Sequence, residues 1–334
     1  MNNLLSSKHG LKVAAILVLA VLPFFTHNLY YVHVATTIAI YWIVVAGLNL
    51  LVGYTGQFSI GHIGLLAVGS YTMILLSMHW GVPPLLGMLV SGVVCGFIGL
   101  LLGLPSLRLS GFYFAMVTLG FGQIVADAAL SEEWLTNGSM GLPAPPLPDF
   151  LASKYGLYGV CAVVALIVTW LTRNIAASLL GSSMIAIRDA DVAARSLGIR
   201  TFRIKLITFV FSGFTAGVAG GLFALLHTHI TPDAFTFDLS LFFFVAIIIG
   251  GRGVIFGPFL GVAILTAIPE LVSSLANYAT FFYGTILLLV ALLAPGGFAE
   301  LIQKLLFRKK KLGAPVAADP DPDMLRREIA EAAR

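Results

Sequence analysis

The 334-residue chain is 59% hydrophobic and only 10% charged, with a mean hydropathy of +0.98. An ordinary soluble domain carries about 25% charged residues, and a soluble fold cannot hide so large an apolar surface. No Asp, Glu, Lys or Arg stands between Lys12 and Arg108, so the composition describes an all-α polytopic membrane protein and excludes a soluble enzyme. The long unbroken apolar runs also exclude the short alternating strands of a transmembrane β-barrel. A formal charge of +4 and a pI near 9.1 then read as orientation signals flanking the spans, not as a nucleic-acid surface.

A membrane span needs about 20 mostly apolar residues. Ten candidates follow in chain order: about 11–27, 33–52, 58–79, 85–104, 111–130, 156–172, 205–226, 235–250, 254–272 and 280–298. Lys8 and Lys12 precede the first, but no small-x-small cleavage site follows it, so it reads as a retained span and not a signal peptide. Gly250, Gly251, Arg252 and Gly253 divide the eighth from the ninth. The stretch 235–272 is therefore either two spans or a re-entrant pair.

Charge sets the expected orientation. Segment 173–205 holds Arg173, Arg188, Arg195, Arg200, Arg203 and Lys205 against Asp189 and Asp191, and basic loops face the cytoplasm. Loop 131–155, with Glu132, Glu133 and Asp149, faces outward. Lys8 and Lys12 put the N-terminus inside, and Lys304, Arg308, Lys309, Lys310 and Lys311 do the same for the C-terminus. Residues 1–311 thus form one transmembrane domain, and 312–334 a short polar cytoplasmic tail.

The motifs of catalysis are missing. There is no G-x-x-x-x-G-K-[ST] phosphate loop, no H-E-x-x-H, no C-x-x-C and no G-x-S-x-G. Cys95 and Cys161 lie inside apolar runs and read as small buried packing residues. His227 and His229 lack an evident third metal ligand apart from Asp233, and a wet loop entrance describes them better. Asp127 and Glu270 stand near span ends, where each reaches the interface.

Two polar regions stand out. Asn49, Gln57, Ser59 and His62 interrupt the passage from the second span to the third, among Gly53, Gly56, Gly61, Gly64 and Gly69. Such a segment reads either as a tight turn with glycine-mediated helix packing or as a broken helix walling a translocation pathway. Thr118 and Gln123 add polar groups to the fifth span and are further candidates for the pathway wall, with Asn49, Gln57, Ser59 and His62. In the basic loop, residues 189–197 read as a short amphipathic helix capped by Asp189 or Asp191, with Gly198 just beyond its end. Arg195 complements its dipole. Ile187, Val192 and Leu197 are its expected exposed apolar residues, suited to docking a cytosolic protein or lying on the membrane surface.

Five stretches carry a resemblance: LNLLVGYTGQFS at 48–59, GLPSLRLSGFYFAMVTLGFG at 103–122, IRDADVAARSLG at 187–198, FVFSGFTAGVAGG at 209–221 and GGRGVIFGPFLG at 250–261. In this order they resemble the LivM-type permease subunits of bacterial ABC importers for branched-chain amino acids. The resemblance implies the ABC importer permease fold, an inner-membrane location and transport of leucine, isoleucine and valine. It implies a LivH-like permease partner, two cytosolic ATPases that use ATP and Mg2+, and a periplasmic amino-acid-binding protein. No cofactor is expected on this chain itself. Arg188, Asp189, Asp191, Arg195, Leu197 and Gly198 would form the ATPase-coupling loop. Relatives handle other amino acids, amides or urea, and residues 139–142 (SMGL) depart from the Gly-Pro-Asp/Asn-Gly-like outer loop common in the family. An ion-driven secondary transporter is the alternative class, which would show ionisable groups near a span midpoint. A scaffold without transport would leave the polar segment 49–62 unexplained.

Overall fold

The computed structural model describes residues 28–106, 109, 111–145, 147 and 153–271. Helix α1 (Leu29–Asn49) starts at Asn28, whose side chain accepts the Tyr30 N–H at 3.0 Å, and runs on into a π-helical turn, Leu50–Tyr54. Helices α2 (His62–Trp80), α3 (Pro84–Ser106), α4 (Phe112–Ser131) and α5 (Lys154–Ala177) follow. Two short helices, α6 (Leu179–Asp189) and α7 (Asp191–Ser196), lead into the long α8 (Thr201–Leu226). The pair α9 (Phe237–Gly250) and α10 (Gly257–Leu271) completes the described chain.

Seven of these helices are long and apolar enough to cross a membrane: α1 with its π turn, α2, α3, α4, α5, α8, and α9 with the turn before it, Pro232–Gly250. The expectation of ten is thus not reached among the described residues. The expected spans 11–27 and 280–298, the basic cluster 304–311 and the tail 312–334 lie outside them. The expected ninth span, 254–272, is the 15-residue α10, shorter because residues 251–256 turn the chain before the helix begins. Helices α9 and α10 pack antiparallel at backbone contact. A Cβ on Gly250 would lie 1.9 Å from the Gly257 carbonyl oxygen, and one on Gly261 1.8 Å from that of Ala246.

Helix α8 is the centre of the bundle. Of its most apolar stretch 78% is buried, against 72% for α1 and only 28% for α4, which lies at the periphery. Small residues let α8 wedge between α2 and α3, as membrane helices require when burial alone cannot drive their association. Cβ atoms on Gly220 and Gly213 would lie 2.3 Å from the Leu66 and 2.8 Å from the Cys95 carbonyl oxygens. Ser70 Oγ donates to the Gly220 carbonyl at 2.8 Å across the same seam. Cys95 and Cys161 are free and buried, and Cys95 Sγ donates to the Leu65 carbonyl at 3.2 Å.

The two ends differ in charge. One carries Glu132, Glu133 and Asp233 around a two-residue ribbon, β1 (Leu142–Pro143) antiparallel to β2 (His229–Ile230). There His229 binds the Met140 carbonyl and His227 the Phe223 carbonyl. The other end gathers Arg173, Arg188, Arg195, Arg200, Arg203 and Lys205 around α6 and α7.

Candidate functional site

The passage from α1 to α2 is where the bundle departs from regular helix. After the π turn the chain runs without helical structure through 55–60, and α2 begins only at His62. This irregular stretch is held at membrane depth. Its partners are Thr118, about 9 Å into α4, and Ser212, about 16 Å along α8 at 1.5 Å per residue. Unpaired backbone there costs several kcal/mol unless protein satisfies it, and two of its N–H groups find partners in neighbouring residues. The Ile60 N–H donates to Thr118 Oγ1 at 3.1 Å, and the Gln57 N–H to the Leu51 carbonyl at 3.1 Å.

His62 joins three elements. Its Nδ1 lies 3.0 Å from Ser59 Oγ and its Nε2 2.7 Å from Ser212 Oγ, all three fully buried. A neutral imidazole serves both contacts, one ring nitrogen donating and the other accepting. Gly61 allows α2 to start against α4, since a Cβ there would lie 1.6 Å from the Thr118 carbonyl oxygen. The cavity beside Ser59, His62 and Thr118 measures only about 10 Å³, scarcely one water molecule. This polar seam is closed in the described conformation. Gln57 accepts from Thr55 Oγ1 at 3.5 Å.

Asn49 faces elsewhere. Its Nδ2 donates to the Val254 carbonyl and its Oδ1 accepts the Gly253 N–H, both at 3.0 Å, so it clamps the turn between α9 and α10. Gly53 lies against the same turn, where a Cβ would stand 2.4 Å from the Gly253 nitrogen. The Gly53 carbonyl accepts from Arg188 Nη1 at 2.9 Å, and Arg188 Nε also donates to Asp189 at 3.1 Å. Gly56 adopts a φ of +71° alongside, and a Cβ there would come 2.9 Å from Arg188 Cγ.

The helix expected over 189–197 is α7, Asp191–Ser196, separated at Ala190 from α6, which ends at Asp189; Ala190 occupies the cap of α7 with no side-chain capping bond. Asp189 ends α6 and Asp191 is the first residue of α7, so neither caps it. Asp191 instead holds α7 in place, accepting from Arg195 at 2.7 Å and from Lys205 at 3.3 Å. Partial burial raises its pKa, but Lys205 and Arg195 outweigh this and hold the carboxyl below its ordinary range. The C-terminus ends as expected on Gly198, with φ +80°. The Gly198 N–H donates to the Arg195 carbonyl and the Ile199 N–H to that of Ala194, the double bond of a Schellman turn. Ile187 is not exposed: it is buried with Leu50, Tyr54, Met184, Ala194 and Ile204, because α6 lies against the end of α1. Val192 and Leu197 remain 79% and 81% exposed.

Gln123 does not join the seam. It lies on the exposed face of α4, near the helix midpoint, and donates to Asp127 Oδ1 at 3.0 Å. Ser212 is not singled out in the sequence, and Gly253 stands out only as part of the break between the eighth and ninth spans. Both lie in stretches notable for glycine, and nothing in their spacing pairs them with His62 or Asn49, more than 140 positions earlier.

Apolar helices of spanning length around a buried polar discontinuity define an all-α, multi-pass membrane protein. The chain belongs to the branched-chain amino acid transport system permease component family, whose profile matches residues 30–291. Permease subunits of this family are non-catalytic transport components. The chain is 32% identical to the high-affinity branched-chain amino acid transport system permease protein LivM of Escherichia coli (strain K12), over 92% of this chain and 78% of that one. It is 23% identical to the probable branched-chain amino acid transport permease protein LivM of Methanocaldococcus jannaschii, over 67% of this chain and 75% of that one. It is also 27% identical to the autoinducer 2 import system permease protein LsrC of Salmonella typhi, over 71% and 69%. No solved structure matches the chain.

Proposed function

We propose that this chain is the LivM-like half of an ATP-driven importer of leucine, isoleucine and valine in a bacterial inner membrane. A LivH-like permease, two cytosolic ATPases and a periplasmic binding protein complete the system, and the ATPases supply all ATP and Mg2+ chemistry. The basic end of the bundle faces the cytoplasm, by the excess of arginine and lysine around α6 and α7. The ribbon end, with its acidic residues, receives the binding protein.

One observation carries this reading: α7 is rigidly held yet shows two large apolar side chains to solvent. The Schellman turn, the Asp191 ion pairs and the buried Ile187 and Ala194 fix it, while Val192 and Leu197 are left uncovered. Apolar side chains on a rigid support at the basic end suit an anchor for a groove on the ATPase. On the other surface, Gln123 and Asp127 give the exposed face of α4 a polar pair within a span, which favours a protein-enclosed watery path over lipid. The LivH-like partner covers this face. Ser59, His62 and Thr118 form the closed part of the path and separate when it opens.

The test is copurification of the ATPase with Leu197→Asp. A charge placed in a buried contact should weaken association by about 2–5 kcal/mol, with insertion unchanged because Leu197 touches no span. Wild-type copurification would leave α7 as a helix on the membrane surface.

A further inference from the structure

Arg188 lies in the stretch expected to meet the ATPase, but its guanidinium turns toward the bundle. Nη1 donates to the Gly53 carbonyl at 2.9 Å, although the side chain as a whole keeps 37% of its surface exposed. That carbonyl belongs to the π turn closing α1, where carbonyls lack helical partners and the dipole favours a cation. A charge-assisted bond here is stronger than a neutral one. Gly56 and Gly253 make room for it, and Gly53 makes room for the neighbouring Asn49 clamp. A Cβ on Gly56 would press on Arg188 Cγ at 2.9 Å, one on Gly53 would meet Asn49 Oδ1 at 2.3 Å, and one on Gly253 would meet Arg188 Nη1 at 3.3 Å.

Beside the same carbonyl, Asn49, the last residue of α1, holds the Gly253 N–H and the Val254 carbonyl. The hydrogen bonds therefore run from the end of α6, through the last turn of α1, to the break between α9 and α10. We infer that Arg188 is a positioning residue that latches the α6–α7 element to this break, so that movement of α6 is delivered to the α9–α10 pair through Gly53 and Asn49. The inference deepens the ATPase-coupling reading and rests on it. Leu197 takes hold of the ATPase, and Arg188 passes the displacement inward.

The latch separates coupling from docking, and the experiment reads them apart. Wild-type, Arg188→Ala, Arg188→Lys, Asn49→Ala and Arg188→Ala/Asn49→Ala complexes are reconstituted in proteoliposomes with the binding protein. Radiolabelled leucine uptake and ATP hydrolysis are measured on each, with ATPase copurification in parallel. Arg188→Ala should copurify with the ATPase at the wild-type level, yet hydrolyse about tenfold more ATP per leucine imported, the size of a typical coupling between sites. Arg188→Lys, which keeps a cation within reach of the carbonyl, should recover part of the ratio. Because the two residues act through one connection, the double variant should be no worse than the more severe single one.

An unchanged ratio in Arg188→Ala, independent effects in the double variant, or loss of ATPase copurification would each overturn the latch. The last would return Arg188 to the docking surface. If the wild-type complex takes up no leucine, or Leu197→Asp still binds the ATPase, it is the proposed function that fails. Hydrogen exchange on the chain alone in detergent decides the structural link even then. Arg188→Ala should speed exchange in peptides covering 50–57 and also in those covering 250–256. Acceleration confined to 50–57 would show that nothing passes to the α9–α10 turn, and would sink the inference.

Discussion

His62 Nε2 stands 2.7 Å from the hydroxyl of Ser212, 150 positions later, so the first residue of α2 is pinned to the middle of α8. The contact explains how a helix can begin inside the bundle and not at its surface. Gly61 caps α2 without a side chain, and the Ser59–His62–Ser212 chain supplies the polar anchoring that a cap residue would normally give.

Ser212→Ala should therefore destabilise the protein, leaving a buried imidazole nitrogen without its partner at a cost of about 1–3 kcal/mol. Thermal unfolding in detergent reads this directly. A melting temperature equal to that of the wild type would mean that the contact contributes nothing net.

Gln57→Leu probes the pathway reading of the same segment. The change removes a polar group two residues before Ser59 and leaves the residues of α6 and α7 as they are. Leucine uptake in proteoliposomes should fall several-fold, with ATPase copurification unaltered. Normal uptake kinetics in a normally expressed variant would assign Gln57 to packing alone.

Sidedness follows from charge and can be read chemically. Val192 and Ser139 are exposed at opposite ends of the bundle, and Cys95 and Cys161 are buried. Single cysteines at these positions should respond oppositely to an impermeant thiol reagent added outside intact cells. Ser139→Cys should label and Val192→Cys should not; labelling of Val192→Cys would invert the orientation.

The spans α1 to α5 and α8 were legible because a bilayer demands long apolar runs whose backbone bonds close internally. Their ends moved by up to five residues, as with α5, where Arg173 and Asn174 continue the helix beyond the apolar run. Harder to read was what polar residues touch. Asn49, Ser59 and His62 stood out as polar groups in an apolar setting, but their partners Gly253 and Ser212 are set by tertiary packing that leaves no periodic trace. The loop 187–198 was legible as amphipathic, and Leu197 and Val192 are indeed exposed. Ile187 was misjudged because one apolar residue buried against α1 looks, in sequence, like one awaiting a partner. Gln123, a pathway candidate by its polarity, is set apart from the seam by helical phase and lies on the exposed face of α4.

Asp191 gives α7 a pH dependence of known sign. Its carboxyl titrates below the ordinary range in the folded chain, so its stabilisation is complete above the unfolded value of about 3.9 and is lost as pH falls through the lower folded value. At neutral pH, Asp191→Asn should speed hydrogen exchange across 191–198. On acidification below the folded value, the wild type should approach the variant. Equal exchange in the two proteins at neutral pH would show that the Arg195 and Lys205 pairs do not hold the element.

The most direct test of the account is uptake of radiolabelled leucine by proteoliposomes containing this chain with its LivH-like partner, the two ATPases and the binding protein. Uptake is predicted to require ATP inside the cytoplasmic-face compartment, every partner, and no ion gradient. Leucine accumulation by this chain alone, driven by a proton or sodium gradient without ATP, would contradict it.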